Sequence, residues 1–154
     1  MTESRKFNGW DAADAIPFVK KHEGCELTSY RCPAGVWTIG YGSTRLASGN
    51  PVIRNITITQ AEADALLRKE LDRIQDEAAC FVRVPVTHGQ FVALMDFAYN
   101  CGVSALERST LIKQLNAGKP VNAAYEFKRW TRAGGKELPG LVRRREDEKS
   151  MFLS

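Results

Sequence analysis

No apolar run in this 154-residue chain approaches the roughly 20 residues that a membrane-spanning helix needs. The polar start, Met1-Thr2-Glu3-Ser4-Arg5-Lys6, also lacks the apolar centre of a secretory signal. These two absences predict a soluble protein made in the cytosol, without stable membrane insertion. Cysteine is scarce. Four are present, which allows three complete pairings, but a chain made in a reducing compartment keeps its thiols as buried apolar groups. Cys80 and Cys101, at the ends of apolar helical segments, are expected to follow that rule. About 100 to 200 residues is the usual size of one domain, so residues 1–154 are expected to form a single domain with its own core. Such a core needs no metal, cofactor or disulfide framework.

What is present begins with charge. The formal charge of +4 and isoelectric point near 9.0 favour an anionic partner. Nucleic acid, a membrane surface and acidic wall polymers all qualify, and charge does not choose among them. The basic run Arg143-Arg144-Arg145 is followed directly by Glu146, Asp147 and Glu148. Mixed charges of this kind read as a solvated helix face rather than a nucleic-acid patch.

Local signals place the elements. Asp11 can cap a helix over 11–22, with Ala12, Ile16 and Val19 at helical spacing. Pro17 must either kink it or sit in the first turn of a new helix. Gly24 stops the helix and leaves Glu23 in its last turn, where the dipole disfavours negative charge. An apolar wall nearby would add desolvation, and both effects raise a carboxyl pKa toward the range a general acid needs. Leu27–Arg31 and Val36–Ile39 read as two strands around the turn Cys32-Pro33-Ala34-Gly35. Trp37 is expected in the core rather than as a sugar platform. The Ser, Gly, Asn and Pro content from Arg45 to Asn55 argues for a loop or a poorly paired hairpin. Thr59 with Glu62 makes a capping box for a long helix whose inner face is Ala63, Leu66, Leu67, Leu71 and Ile74. Thr87 with Gln90 opens a second, strongly apolar helix that ends at Gly102.

Singly, Glu23 is an ordinary helix-end carboxylate and Thr38 an ordinary strand residue. Together they form a pattern: Glu23, eight residues, Cys32, five residues, Thr38, within Gly35-Val36-Trp37-Thr38-Ile39-Gly40-Tyr41-Gly42. This segment resembles the catalytic region of phage-type lysozymes, the endolysins of glycoside hydrolase family 24. Phe97-Ala98-Tyr99-Asn100-Cys101-Gly102 with Arg108-Ser109-Thr110-Leu111, and the segments 127–130 and 134–146, are similar to later motifs of that family. The resemblance covers about Ala15 to Phe152. It implies an α+β, predominantly helical, lysozyme-like fold: a small β-hairpin lobe and a larger helical lobe joined by a long helix, with the cleft beside that helix.

By the same resemblance the activity is that of an N-acetylmuramidase, hydrolysing the β-1,4 bond between N-acetylmuramic acid and N-acetylglucosamine in bacterial peptidoglycan for host lysis and phage release. Glu23 takes the role of general acid, Cys32 that of nucleophile or general base where many members have Asp, and Thr38 positions the attacking group. Asn100 is carried over as a substrate-binding support residue, although a helix C-cap explains it almost as well. Some members lock the catalytic thiol in a disulfide with a close neighbour, so the resemblance implies a regulatory pairing of Cys25 with Cys32 under oxidising conditions. The expected partner is peptidoglycan, not nucleic acid, and the expected state a monomer. Synthesis in the host cytoplasm would be followed by action in the periplasm. Some Cys-containing members carry an apolar N-terminal export segment, and this sequence shows none. Two rivals stand beside hydrolysis: a lytic transglycosylase using Glu23 alone, and a non-catalytic wall-binding module.

Overall fold

The computed structural model describes residues 2–154. Strand β1 (Ser4–Arg5) leads through two 3-10 turns, Phe7–Gly9 and Ala12–Ala15, into α1 (Ile16–His22). Asp11 caps the second turn, accepting from the Ala13 amide at 2.9 Å. Pro17 lies in the first turn of α1, where a missing amide leaves no bond unmade. The helix expected over 11–22 is therefore split at that proline into a 3-10 piece and an α piece. Helix α1 also stops one residue earlier than Gly24 suggests. Glu23 is already extended (φ −105°, ψ 133°), and only its N–H, bonded to the Val19 carbonyl at 2.9 Å, remains helical.

Strands β2 (Glu26–Arg31) and β3 (Trp37–Gly40) form the antiparallel hairpin, with Tyr30 opposite Thr38 and Arg31 opposite Trp37. Its turn is closed by Gly35 N–H to the Cys32 carbonyl at 2.8 Å and Cys32 N–H to the Val36 carbonyl at 2.9 Å. Gly35 supplies the positive φ of 81° that the turn requires. Trp37 is half-buried against the core, with the Arg31 guanidinium 5.1 Å above its ring. The segment that follows is the poorly paired hairpin expected, with a single bridge between Arg45 and Pro51.

Helix α2 (Gln60–Ala79) opens on the Thr59/Glu62 capping box and buries Ala63, Leu66, Leu67, Leu71 and Ile74. It joins the hairpin lobe to the helical lobe. Gly40, at φ 66°, lets the end of β3 approach it: a Cβ there would lie 3.5 Å from Ala63 Cβ. Strand β4 (Val86–Thr87) pairs with β1, and the Thr87/Gln90 box starts α3 (His88–Cys101). Every residue of α3 from Phe91 to Ala98 is buried, Asp96 included. The rest of the larger lobe is α4 (Val103–Arg108), α5 (Thr110–Asn116), α6 (Pro120–Glu126), a two-stranded hairpin of β5 (Arg132–Ala133) and β6 (Lys136–Glu137), and α7 (Pro139–Leu153). Ser109 caps α5 by accepting from the Ile112 amide. Phe97, Phe127, Trp130 and Phe152 form edge-to-face contacts at centroid distances of 5.3 to 5.7 Å. Among the described residues, no helix is long and apolar enough to cross a membrane.

Helix α7 lies closely along α3, and Gly89 sets that closeness. A Cβ at Gly89 would meet the Met151 carbonyl oxygen at 2.2 Å. Gly89→Ala should therefore cost about 1–3 kcal/mol through forced separation of the two helices. Thermal unfolding checks this, since each kcal/mol lowers Tm by about 2–4 °C in a chain of this size; an unchanged Tm would mean that the end of α7 yields without cost.

Candidate active site

The Glu23 side chain is 24% exposed at the end of α1, and its Oε1 accepts a hydrogen bond from Arg144 Nη1 at 2.7 Å. What stands beside it is a guanidinium. Arg144 is itself gripped by Asp96 of α3, through Nε at 2.9 Å and Nη2 at 2.8 Å. Burial would lower the Arg144 pKa, but Asp96 and then Glu23 outweigh it and hold the guanidinium above its ordinary value.

This corrects the solvated-face reading of 143–145, because Arg144 and Arg145 are only 5% and 1% exposed. Positions 144, 145 and 148 share one face of α7, and that face meets α3. Two buried carboxylates there, Asp96 and Glu148, offset the desolvation of the two arginines. Arg143 and Glu146 keep to the solvated side. One signal in the sequence could have revealed this. Asp96 interrupts an otherwise apolar helix, and a buried carboxylate needs a cationic partner from elsewhere in the chain.

The hairpin presents the other two candidates. Cys32 begins the turn, and backbone amides hold its thiol below the ordinary cysteine range. The Val36 amide contributes most, burial opposes it, and Ala34, the Thr38 hydroxyl and Gly35 add to it. Thr38 is buried and donates to the Val36 carbonyl at 2.9 Å, so one hydroxyl proton serves either that oxygen or the sulfur. Tyr30, opposite Thr38, is pushed up by burial and then by the negative charges of Glu23, Glu26 and Cys32. Tyr30 thus stands opposite Thr38 and feels the charges of both Glu23 and Cys32. Burial pushes Tyr99 up as well, followed by Glu23 and Glu70, and its hydroxyl donates to the Tyr41 carbonyl. Tyr99 lines a cavity of about 550 Å³ that runs from Gly42 and Ser43 to Leu66, Glu70 and Arg73 of α2. A cleft beside the long helix is what the resemblance implies.

Residues 20–148 match the sequence profile described as phage lysozyme. The chain belongs to the phage lysozyme family. It is 39% identical over 143 residues to an endolysin of Acyrthosiphon pisum secondary endosymbiont phage 1, covering 90% of this chain and 94% of that one. It is 36% identical to the endolysin of Salmonella phage P22, covering 93% and 97%. Among solved structures, a P22 lysozyme mutant superposes with a TM-score of 0.81 at 35% identity, over 92% of this chain and 97% of that one. The muramidase domain of SpmX from Asticaccaulis excentricus superposes with a TM-score of 0.80 at 34% identity, over 91% and 95%. The fold is the lysozyme-like α+β fold expected, predominantly helical, and membership makes the protein a lysozyme-type, cell-wall-lytic hydrolase.

In this phage lysozyme Asn100 stands apart from the Glu23 contacts. Its Oδ1 accepts from Arg145 Nη2 at 2.7 Å, and it lines a smaller cavity of about 350 Å³ with Cys101, Trp130, Arg132 and Arg145. Arg145 is also paired with Glu148 at 2.6 Å and donates to Cys101 Sγ at 2.7 Å. Burial, and then a hydrogen bond with Asp96, push the Glu148 carboxyl well above the carboxylate range, against the pull of Arg145.

The four cysteines of the lysozyme are free thiols. Cys80 is exposed at the end of α2, contrary to its expected burial, because that last turn faces solvent. Cys101 is half-buried, and burial pushes its thiol up while Arg145 opposes. Alkylation with iodoacetamide followed by mass mapping should find Cys32 modified well before Cys101 at pH 7. The Cys32 rate should rise at a pH below the ~8.5 of a free thiol. Equal rates at the two sites would contradict the amide stabilisation of the Cys32 thiolate.

Proposed function

We propose that this phage lysozyme hydrolyses the β-1,4 bond between N-acetylmuramic acid and N-acetylglucosamine in peptidoglycan, lysing the host for phage release. The observation that carries the reading is the Glu23 carboxyl tethered to Arg144 at 2.7 Å, with the Cys32 thiolate supported by the amides of the hairpin turn. An acid and an ionisable group on two sides of a sugar ring are what glycoside hydrolysis requires. Protonated Glu23 gives its proton to the glycosidic oxygen as the bond breaks through an oxocarbenium-like state. The carboxylate left behind falls to Arg144 Nη1, already 2.7 Å away. Cys32, as thiolate, either activates a water on the opposite face or attacks the anomeric carbon, and the Thr38 proton swings from the Val36 carbonyl to steady it. Asn100, its oxygen taken by Arg145, would support substrate only through its Nδ2 and from the neighbouring cavity. Charge of +4 draws the monomer to the anionic wall, an attraction that weakens with salt. Made in the host cytoplasm, it reaches its substrate in the periplasm after release or export.

Product analysis tests the reaction. Hydrolysis leaves a reducing N-acetylmuramic acid end; an anhydro sugar would mean a lytic transglycosylase instead. Cys32→Ser should be nearly inactive and Cys32→Asp should keep much of the activity, while a fully active Cys32→Ser removes Cys32 from the mechanism. Cys25 and Cys32 stand at opposite ends of the strand β2, so a disulfide between them, which needs Cα atoms within about 7 Å, would pull that strand apart as well as block the catalytic sulfur. Activity of oxidised protein should therefore rise on adding a disulfide reductant. Equal activity with and without reductant would sink the redox control.

A further inference from the structure

Two carboxylates compete for Arg144, and the competition is unequal. Asp96 is fully buried and takes two of the guanidinium's N–H groups, at 2.9 and 2.8 Å. Glu23, at the cleft, takes one, at 2.7 Å. A planar guanidinium prefers to meet a carboxylate with two parallel bonds, and the anion that gains both is the one it holds more firmly. We propose that Asp96 is a positioning residue of the lysozyme reaction, engaging Arg144 so that a single N–H is left to support Glu23. The inference rests on Glu23 being the general acid.

The geometry suits a group that must be an acid before the bond breaks and an anion after it. A guanidinium turned fully onto Glu23 would favour the anion throughout and make the proton harder to give. With Asp96 holding the fork in place, the remaining N–H stands ready for the charge that develops on Glu23, with no rearrangement at that moment. Asp96 does not touch the cleft, so it acts only through Arg144. Tyr30 of β2 and Tyr99 of α3 also feel the Glu23 charge, and His22 on its own helix feels Asp96, Arg144 and Asp147. His22 is paired with Asp147 at 3.1 Å, and burial lowers its pKa. None of these holds Arg144 in a fork.

The test is the pH dependence of kcat and KM on a soluble peptidoglycan oligosaccharide. Asp96→Asn keeps the shape and removes the charge. The alkaline limb of kcat should then move down by about one pH unit, with about tenfold lower kcat beyond it and KM within about twofold of the parent. Arg144→Lys should do the opposite. One ammonium cannot serve both carboxylates, the buried Asp96 keeps it, and the limb moves up while kcat falls. Either shift, in a variant whose circular dichroism matches the parent, supports the inference, and Arg144→Lys decides alone should Asp96→Asn not fold. An unmoved limb in a folded variant, or a loss equal at every pH, would overturn it and leave Asp96 a purely structural ion-pair partner. Glu23→Gln is the control that separates the two readings. Activity in that variant overturns the general acid itself, whereas an inactive Glu23→Gln with an unmoved limb in Asp96→Asn overturns only the positioning role.

Discussion

Glu23→Gln should lower lysis of outer-membrane-stripped bacteria by about 10³-fold, within the roughly 10²–10⁴ that a positioned general acid supplies. Gln has nearly the same shape and can still accept a hydrogen bond from Arg144, so the tether survives. What is lost is the transferable proton. Folding should be unaffected, because Glu23 is partly exposed and Arg144 retains its buried partner Asp96. Turbidity decay at matched protein concentration reads the effect, and circular dichroism confirms the fold. Retention of more than about a tenth of the activity would take Glu23 out of the acid role. Full retention would favour a wall-binding module over an enzyme.

Arg144→Leu should have the largest effect on stability. Asp96 would be left fully buried without its cation, beside Glu148, whose carboxyl is already pushed up by burial and by Asp96. Breaking a buried ion pair from one side costs about 3–5 kcal/mol, against a total of about 5–15 kcal/mol for a domain. A Tm lower by about 10 °C is expected. The pH dependence has a definite sign. Glu148 has a raised folded pKa, so the native state holds a proton that the unfolded chain releases above about 4.5. Its contribution to stability is complete below that pH and is lost as pH rises through the raised value. An unpaired Asp96 would behave in the same way. The deficit of Arg144→Leu should therefore be smaller at pH 5 than at pH 8, and an equal or larger deficit at pH 5 would contradict the charge argument. Urea midpoints at the two pH values measure it.

Much of the molecule was legible because its signals are local. The Thr59/Glu62 and Thr87/Gln90 boxes each lie within one helical turn, and both helices start where those boxes put them. The hairpin around Cys32 to Gly35 was readable from two short strands and a Pro/Gly turn. Glu23, Cys32 and Thr38 fall within sixteen consecutive positions, close enough for a motif to hold them together. Even here, local signals blurred at boundaries: the proline split the first helix, and its last turn closed one residue before the glycine.

The sequence by itself determined the order of elements, the helix starts, the hairpin and the family pattern of acid, thiol and hydroxyl, all of which depend on neighbours along the chain. Only the tertiary structure decided what faces the acid. Arg144 reaches Glu23 across 121 positions and Asp96 across 48. In the sequence its charge is indistinguishable from that of Arg143, which stays in water. A charged residue on a helix is solvated or buried according to which face meets another element. That choice is made by the packing of α7 on α3, where an arginine leaves water only because two carboxylates are there to receive it.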